Sequence, residues 1–258
     1  MNIADTWNNR VFSLPIISQL KRQTEIFSHY TNWPDIDDYQ RLFKQYKLSV
    51  TPVSQSAEIQ CFEEQYEPRV YLKGELQTRT ENWHDFFNAM VWLRFPDSKE
   101  TLNALHYTSS LKRTAGSNRS ILENRITQFD ECGAVIVSSD GHLLQLIQQH
   151  QWEELFLQHR DRLHVNLSCV VFGHAIFEKA LNPYIGMTCH CLLIEDEKLL
   201  KQIQSDQVGE LDRYISTLWR DFSSHKPEKL AAFPLLGMPG LWPEQDESFY
   251  SSNKSYFR

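Results

Sequence analysis

The sequence has few glycines and lacks the glycine-rich loops that hold nucleotide phosphates. Nine glycines are spread over 258 residues, and neither a G-x-x-x-x-G-K-[ST] nor a G-x-G-x-x-G pattern occurs. Such loops bind phosphate through closely spaced backbone N–H groups, so binding of ATP or a dinucleotide by them is excluded. A G-x-S-x-G elbow is also absent, which removes the usual signature of a serine hydrolase.

Cysteine is sparse, with five residues, an odd number, and no C-x-x-C pair. This pattern predicts that the fold has no disulfide framework. Cys189 and Cys191 flank His190, but the spacing is not that of zinc motifs. On a strand the two thiols share one face, and we interpret them as small core residues.

Long apolar runs are missing, and so is an excess of positive charge. No run approaches the roughly 20 residues that a membrane helix needs. The first ten residues show neither a basic leader nor an apolar segment, so we expect no secretory signal, no membrane partner and a cytoplasmic location. The net charge of −7 disfavours non-specific binding of nucleic acid.

Hydrophobic residues make up 41% of the chain, and their spacing predicts an α+β, mostly helical fold in a single domain. Apolar residues three and four apart predict helices after Pro15, after Pro34, and over 170–181 and 208–222. A further helix begins at Asn82, a good N-cap, and is apolar on nearly every side. That helix is therefore expected at the centre of the molecule.

Strand signals are fewer, and they predict a small antiparallel sheet. Residues 126–137 are expected to form a β-hairpin whose turn contains Gly133, and 187–194 a further strand. A short strand is predicted at 69–72, whereas the polar stretch 48–66 is predicted to be a loop or an insertion.

The chain is expected to fold as one cooperative unit with three parts. Residues 1–50 form a helical lead-in and residues 51–226 the core α+β domain. Residues 227–258 contain four of the ten prolines and several aromatic residues. Exposing this many aromatic side chains to water is unfavourable, so we expect the segment to pack over the rest of the domain as an extended C-terminal clasp.

Polar side chains at helical spacing inside two apolar helices are the main functional signal. His84 and Asn88 lie four residues apart, as do His174 and Glu178, so each pair shares one helix face. Buried polar groups cost free energy unless they find partners. The predicted catalytic set comprises His84, Asp85, Asn88, His106, His174 and Glu178.

One hypothesis for this set is a divalent metal centre, zinc for example, with His84, His174 and Glu178 as ligands. Asp85 would complete the set or orient a histidine, and the bound ion would activate water for hydrolysis. The alternative is structural, because His174 and Glu178 can simply bond to each other in the core. Asp130 and Glu131 are explained by turn chemistry.

A second hypothesis uses no metal. Arg79 and Arg125 flank the polar residues, as do two lysines, Lys99 and Lys179. Guanidinium groups form paired hydrogen bonds to phosphate or carboxylate, so Arg79 and Arg125 are predicted to bind an anion while His84 acts as acid or base. Both hypotheses describe a hydrolase or a phosphate-chemistry enzyme with a His/Asp/Glu cleft.

The remaining alternative is a non-enzymatic interaction module. The segment 112–119 carries three positive charges on an acidic protein. Together with the aromatic tail it would provide a contact for a protein partner or for nucleic acid.

Four segments of the chain carry a resemblance to a known family. They are TRTENWHDFFNAMVWLRFPDSK, ITQFDECGAVIVSSD, FGHAIFEKALNP and FPLLGMPGLWPEQDESFY. In this order they resemble an uncharacterised family found mainly in proteobacteria, domain of unknown function 3025, over roughly residues 60–258. The resemblance implies a cytoplasmic bacterial protein that folds as one unit, and it brings no reaction and no catalytic residue with it.

Overall fold

Helices make up most of the regular structure in the computed structural model of the chain, which describes residues 6–55, 61–113, 118–224, 230–243 and 245–257. The α-helices are α1 (Lys21–Thr24), α2 (Ile36–Gln45), α3 (Tyr66–Lys73), α4 (Trp83–Arg94), α5 (Pro96–Ser110), α6 (Ile121–Cys132), α7 (Gly141–Gln148), α8 (Arg160–Asn166), α9 (His174–Lys179), α10 (Glu197–Gln204), α11 (Gly209–Ser224) and α12 (Glu247–Ser252). The strands are β1 (Thr51–Ser54), β2 (Glu75–Thr78), β3 (Gly133–Ser138), β4 (Leu167–Val171), β5 (Thr188–Glu195) and β6 (Ala231–Pro234). The α+β, mostly helical fold class is confirmed.

The main sheet has four strands in the order β4-β3-β5-β6. β3 pairs antiparallel with β4 and parallel with β5, and β5 pairs antiparallel with β6. Every residue of β3 is buried, because a continuous apolar run suits a strand that is covered on both faces. β1 and β2 form a separate parallel pair. The small sheet is thus mixed, and not purely antiparallel as predicted.

The predicted hairpin over 126–137 is wrong in its first half. Residues 126–132 belong to α6, and only 133–138 form a strand. The helix begins with a capping box, in which Ser120 accepts from the backbone N–H of Glu123 and the Glu123 side chain accepts in return. This reciprocal pair of hydrogen bonds fixes the start of the helix. Gly133 has an ordinary negative φ of −77° and does not supply the turn that was predicted there.

Three shorter predictions are also corrected. Residues 69–72 lie in α3, which ends at Gly74 with the left-handed φ of 65° that favours glycine at a helix C-terminus. The stretch 48–66 contains β1, which gains its backbone partners from β2. Residues 170–181 do not form one helix, because β4 runs to Val171 to pair with β3 and α9 begins at His174.

The helix expected at the centre is present as α4, and Asn82 caps it by accepting from the Asp85 backbone N–H at 3.0 Å. Aromatic residues from the N-terminal segment pack around its first turn. Trp7 stacks on Trp83 with ring centroids 5.1 Å apart, and Phe86 is fully buried beside them. The lead-in therefore fixes the end of α4 that carries the polar residues.

The C-terminal segment returns to the edge of the main sheet. β6 pairs with β5, and the Tyr256 hydroxyl donates to the Met187 carbonyl and accepts from the Leu236 backbone N–H. The tail contains a strand and the short helix α12, so it is less extended than the sequence predicts.

Two remaining expectations concern the surface and the cysteines. Cys189 and Cys191 are both buried on β5, as expected of core residues. Of the basic segment, 114–117 lies outside the described residues, and Arg113 pairs with the buried Glu123 at 3.2 Å. Along the described part of the chain, each helix is too short or too polar to cross a lipid bilayer.

Asp212 on α11 holds the N-terminus of α5, and its titration leads to a prediction. Its carboxylate accepts from the backbone N–H groups of Asp97 at 3.0 Å and Ser98 at 2.8 Å. Burial nevertheless raises the pKa of Asp212 from 3.8 to about 6. Since the folded value lies above the unfolded one, its stabilising contribution is complete below pH 3.8 and is lost as the pH rises through 6.

We expect Asp212→Asn to remove this pH dependence, which amounts to about 3 kcal/mol of unfolding free energy. Urea unfolding at acid and neutral pH measures the difference between variant and wild type, with the exposed Asp161→Asn as the control. If the unfolding free energies of wild type and Asp212→Asn depended on pH in the same way, the assignment to Asp212 would be contradicted.

Candidate functional site

A cavity of about 370 Å³ lies where α3, α4, α5, α6 and α9 meet. All five helices are linked by direct contacts, since α4 packs on α9, α6 packs on both α5 and α9, and α3 packs on α5. Each helix contributes charged or imidazole groups to the wall. These groups are Glu67, Arg79, His84, Asp85, Lys99, His106, Asp130, Glu131 and His174, with Arg79 coming from the segment before α4.

Two histidines from different helices meet at the cavity wall. His84 Nε2 and His174 Nε2 are 3.0 Å apart, with the rings nearly perpendicular. The second nitrogen of His84, Nδ1, lies 2.8 Å from Glu178 Oε2. The structure therefore brings together residues 90 positions apart in the chain, and Glu178 lies behind His84 as its partner.

The pKa values of the two imidazoles are shifted in opposite directions. The hydrogen bond to Glu178 raises the pKa of His84, and burial opposes this effect. Burial lowers the pKa of His174 to about 3, so His174 is neutral at physiological pH. The Glu178 carboxylate can accept only from His84 Nδ1–H, while between the two Nε2 atoms either imidazole can be the donor.

The last turn of α6 places two carboxylates beside His174. Glu131 Oε2 lies 3.6 Å from His174 Nε2, and Asp130 Oδ2 lies 3.8 Å from His174 Nδ1. Burial raises the pKa of Glu131. Burial alone would also raise that of Asp130, but Lys99 and His174 hold it below its usual value. His84, Glu131 and His174 each offer a ligand atom within 4.8 Å of the others.

A hydrogen-bonded chain links these carboxylates to α4 and α3. The Lys99 ammonium, almost fully buried, donates to Asp130 at 2.5 Å and to the Asn88 carbonyl oxygen at 2.9 Å. The Asn88 amide in turn donates to the Tyr66 hydroxyl at 2.8 Å. Asn88 therefore orients Lys99 and Tyr66, and Lys99 neutralises Asp130.

A further histidine, His106 on α5, lines the same cavity. It is only 5% exposed, and its two ring nitrogens have no hydrogen-bond partner within the described part of the chain. Glu67 Oε1 lies 3.7 Å from His106 Nε2. Asn103 donates to the Glu67 carbonyl oxygen at 3.0 Å, which fixes the start of α3 against α5.

The two predicted anion-binding arginines are differently placed. Arg79 lines the cavity, but Nε and Nη2 donate to both oxygens of Asp85 at 2.9 Å each. Asp85 also accepts from the Arg79 backbone N–H at 2.7 Å. The guanidinium of Arg125 donates to Gln128, and Arg125 is not part of the cavity wall.

Sequence reasoning missed Asp130 and Glu131 as site residues because it placed them in a turn. The signal that could have found them is the S-x-x-E capping box at 120–123, which marks the start of a helix. In that helix Asp130 lies four residues after the buried Ile126 and therefore shares its face. No pattern in the sequence identified Glu67 as a site residue.

A second group of potential metal ligands lies elsewhere on the protein. It consists of His142, Glu154 and His159, and His142 is exposed. The Arg162 guanidinium lies 3.3 Å from His159 Nδ1, and its positive charge opposes binding of a cation there. The group at the cavity is therefore the stronger candidate.

The family model described as "Protein of unknown function (DUF3025)" matches residues 51–258. This match confirms the resemblance seen in the sequence, and it includes all of the cavity-lining residues. None of the curated proteins matches the chain. None of the solved structures matches it either.

Proposed function

We propose that this chain, which belongs to the DUF3025 family of proteins of unknown function, is a metal-dependent hydrolase. The ion would be bound by His84 Nε2, His174 Nε2 and the Glu131 carboxylate. One observation carries the proposal: these three ligand atoms converge within 4.8 Å at the wall of a cavity.

The spacing of the two imidazoles fits a shared ion. Two nitrogens bound tetrahedrally to one zinc at their usual bond length of about 2.0–2.1 Å lie about 3.3 Å apart. The His84 and His174 Nε2 atoms are 3.0 Å apart, so a shift of a few tenths of an ångström, about 0.3 Å, admits the ion. Two histidines and one glutamate form a known ligand set of catalytic zinc.

The distal nitrogens support the same assignment. Metal-bound histidines usually direct the second ring nitrogen at a carboxylate, which fixes the ring and strengthens the ligand. Glu178 lies 2.8 Å from His84 Nδ1, and Asp130 lies 3.8 Å from His174 Nδ1. Glu178, expected from the sequence to be a ligand, is thereby assigned to orienting His84, and Glu131 takes its place.

The charges around the site favour acyl chemistry over phosphate chemistry. Arg79 is occupied by Asp85, and Lys99 by Asp130 and Asn88. Neither cation is left to bind a phosphate group. A divalent ion supplies Lewis acidity and lowers the pKa of bound water. Water then adds to a carbonyl carbon, the bond to the leaving nitrogen or oxygen breaks, and a proton passes to the leaving group.

We place this reaction in the cytoplasm. The five cysteines are free thiols, which fits the reducing conditions of that compartment.

The proposal predicts about one zinc ion bound per chain, with at most one high-affinity site in the cavity. Equilibrium dialysis of chelator-stripped protein, followed by elemental analysis, measures the stoichiometry, and the double variant His84→Ala/His174→Ala should lose the ion. Added zinc or cobalt should restore hydrolysis of a small ester by the stripped protein.

Wild-type protein that binds no zinc when free zinc is present at about 10 μM would contradict the proposal. Such a result would favour the non-enzymatic alternative, or acid–base chemistry by the His84–His174 pair alone.

A further inference from the structure

We infer that the substrate of this site carries a protonated amine, which Glu67 and His106 bind on the part of the cavity wall formed by α3 and α5. The inference rests on the proposed function and adds the chemical class of the substrate. It comes from the charges and hydrogen-bonding groups that remain once the residues of the metal site are assigned.

The charged groups of the cavity leave one carboxylate without a role. Four carboxylates line the wall, and Asp85 and Asp130 are paired with Arg79 and Lys99. Glu131 is assigned to the ion. Glu67 remains, and within the described part of the chain it has no lysine or arginine partner in the wall.

His106 is the second observation, and it is independent of this charge balance. The imidazole is 95% buried, lines the cavity, and makes no hydrogen bond through Nδ1 or Nε2 with the described residues. A buried polar group without a partner costs free energy. A bound ligand that reaches His106 supplies the missing partner and so gains affinity.

The two side chains together fit an ammonium group. Glu67 Oε1 and His106 Nε2 are 3.7 Å apart, so one donor group between them can reach both atoms. An ammonium offers three N–H donors and a positive charge, while the carboxylate and a neutral imidazole both accept. The bond from Asn103 to the Glu67 main-chain carbonyl fixes the backbone that carries this carboxylate.

Anionic ligands do not fit this wall. At this part of the wall a carboxylate or phosphate would meet Glu67 without a free lysine or arginine to balance it, because Arg79 and Lys99 are already paired. A neutral hydroxyl can bond to the same atoms but leaves the Glu67 charge uncompensated. The geometry therefore selects a cation.

Combined with the proposed hydrolysis, this defines the substrate as an amide or ester with an amine at a distance from the carbonyl. For an amide, the water oxygen bonds to the carbonyl carbon, the C–N bond breaks, and the leaving nitrogen takes a proton from the water. The second proton of the water also passes to the amine, so the products are a carboxylate and a protonated amine, and no oxidant or reductant is needed.

Three matched probes test the charge preference in the zinc-loaded protein. They are N-acetylputrescine, 4-acetamidobutanol and 4-acetamidobutanoate, which share the amide and differ in carrying a positive, a neutral or a negative end. Isothermal titration should show that the amine binds at least about tenfold more tightly than the alcohol, the size of one charge-assisted hydrogen bond. The carboxylate should bind more weakly than the alcohol.

Glu67→Gln keeps the shape of the side chain and should reduce amine affinity by about tenfold or more, with little effect on the alcohol. His106→Gln tests the second contact in the same way. Glu63→Gln, at an exposed carboxylate outside the cavity wall, is the control and should bind like wild type.

Equal affinity for the three probes, preference for the carboxylate, or unchanged amine affinity in Glu67→Gln would each overturn the inference. Zinc content is measured on the same samples, and the titrations are repeated after chelation. If the protein binds zinc but does not prefer the amine, only this inference is refuted. If it prefers the amine but has no affinity for zinc, only the metal assignment is refuted.

Discussion

Gly173→Ala is expected to destabilise the protein by about 3 kcal/mol or more, because its new methyl group meets backbone atoms. A Cβ at this position would lie 2.4 Å from the Glu131 carbonyl oxygen, 2.5 Å from the Gly133 nitrogen and 2.6 Å from the Cys132 nitrogen. Backbone atoms cannot rotate away as the end of a flexible side chain can, so the segments must separate.

The same separation should disrupt the candidate site. Gly173 immediately precedes His174 and donates its N–H to the Gly133 carbonyl at 2.8 Å, where α6 ends and β3 begins. Glu131 lies two residues before that junction. Moving the two segments apart lengthens the 3.6 Å separation between Glu131 and His174, so zinc affinity should fall with stability.

Gly209→Ala is the matched control, because among the described residues no atom outside its chain neighbours and its own helix backbone lies within 4 Å of the Cβ position. Gly209 begins α11, and alanine in a helix gains up to about 1 kcal/mol over glycine. Urea unfolding of both variants measures the effect. A Gly173→Ala variant within about 0.5 kcal/mol of wild type would show that the close backbone contact is not required.

The second large effect is a ranking of zinc affinities among variants of the site. Loss of a direct ligand in His84→Ala, His174→Ala or Glu131→Ala should weaken binding by more than about 100-fold. Glu178→Gln, which alters only the group that orients His84, should weaken it by about 10- to 100-fold. The order follows from the 2.8 Å contact between Glu178 and His84 Nδ1, which leaves Nε2 available for the ion.

Competition titration with a zinc-sensitive dye measures this ranking. His142→Ala removes the exposed histidine of the second group of potential ligands, and it should bind zinc like wild type. If His142→Ala loses the ion while His84→Ala keeps it, the ion is bound at the surface group and the cavity assignment is wrong. If Glu178→Gln binds zinc more weakly than Glu131→Ala does, then Glu178 is the direct ligand and Glu131 is not.

The fold was predictable where a local pattern has one interpretation. The amphipathic spacing over 208–222 corresponds to α11, and the Asn82 cap corresponds to the start of α4. The stretch before Gly133 was not, because its short run of β-branched and aromatic residues suits a strand as well as a helix. The sheet contacts of β3 and the capping box at Ser120 decide between them.

The site was predictable in part for a related reason. Helical spacing identified polar residues on apolar helices, and it included His84 and His174, whose contact the structure shows. Spacing within a helix cannot say which residue of another helix completes a ligand set. Glu131 became a candidate only once the end of α6 lay beside His174, and Glu178 became a partner of His84 for the same reason.

The ion's coordination in the zinc-loaded protein tests the central claim most directly. Crystals of that protein, measured at the zinc absorption edge, locate the ion by anomalous scattering. We predict one peak in the cavity, about 2.0–2.1 Å from the Nε2 atoms of His84 and His174 and about 2.0–2.2 Å from a Glu131 oxygen. A cavity without a peak, in crystals that retain zinc elsewhere or not at all, would contradict the account.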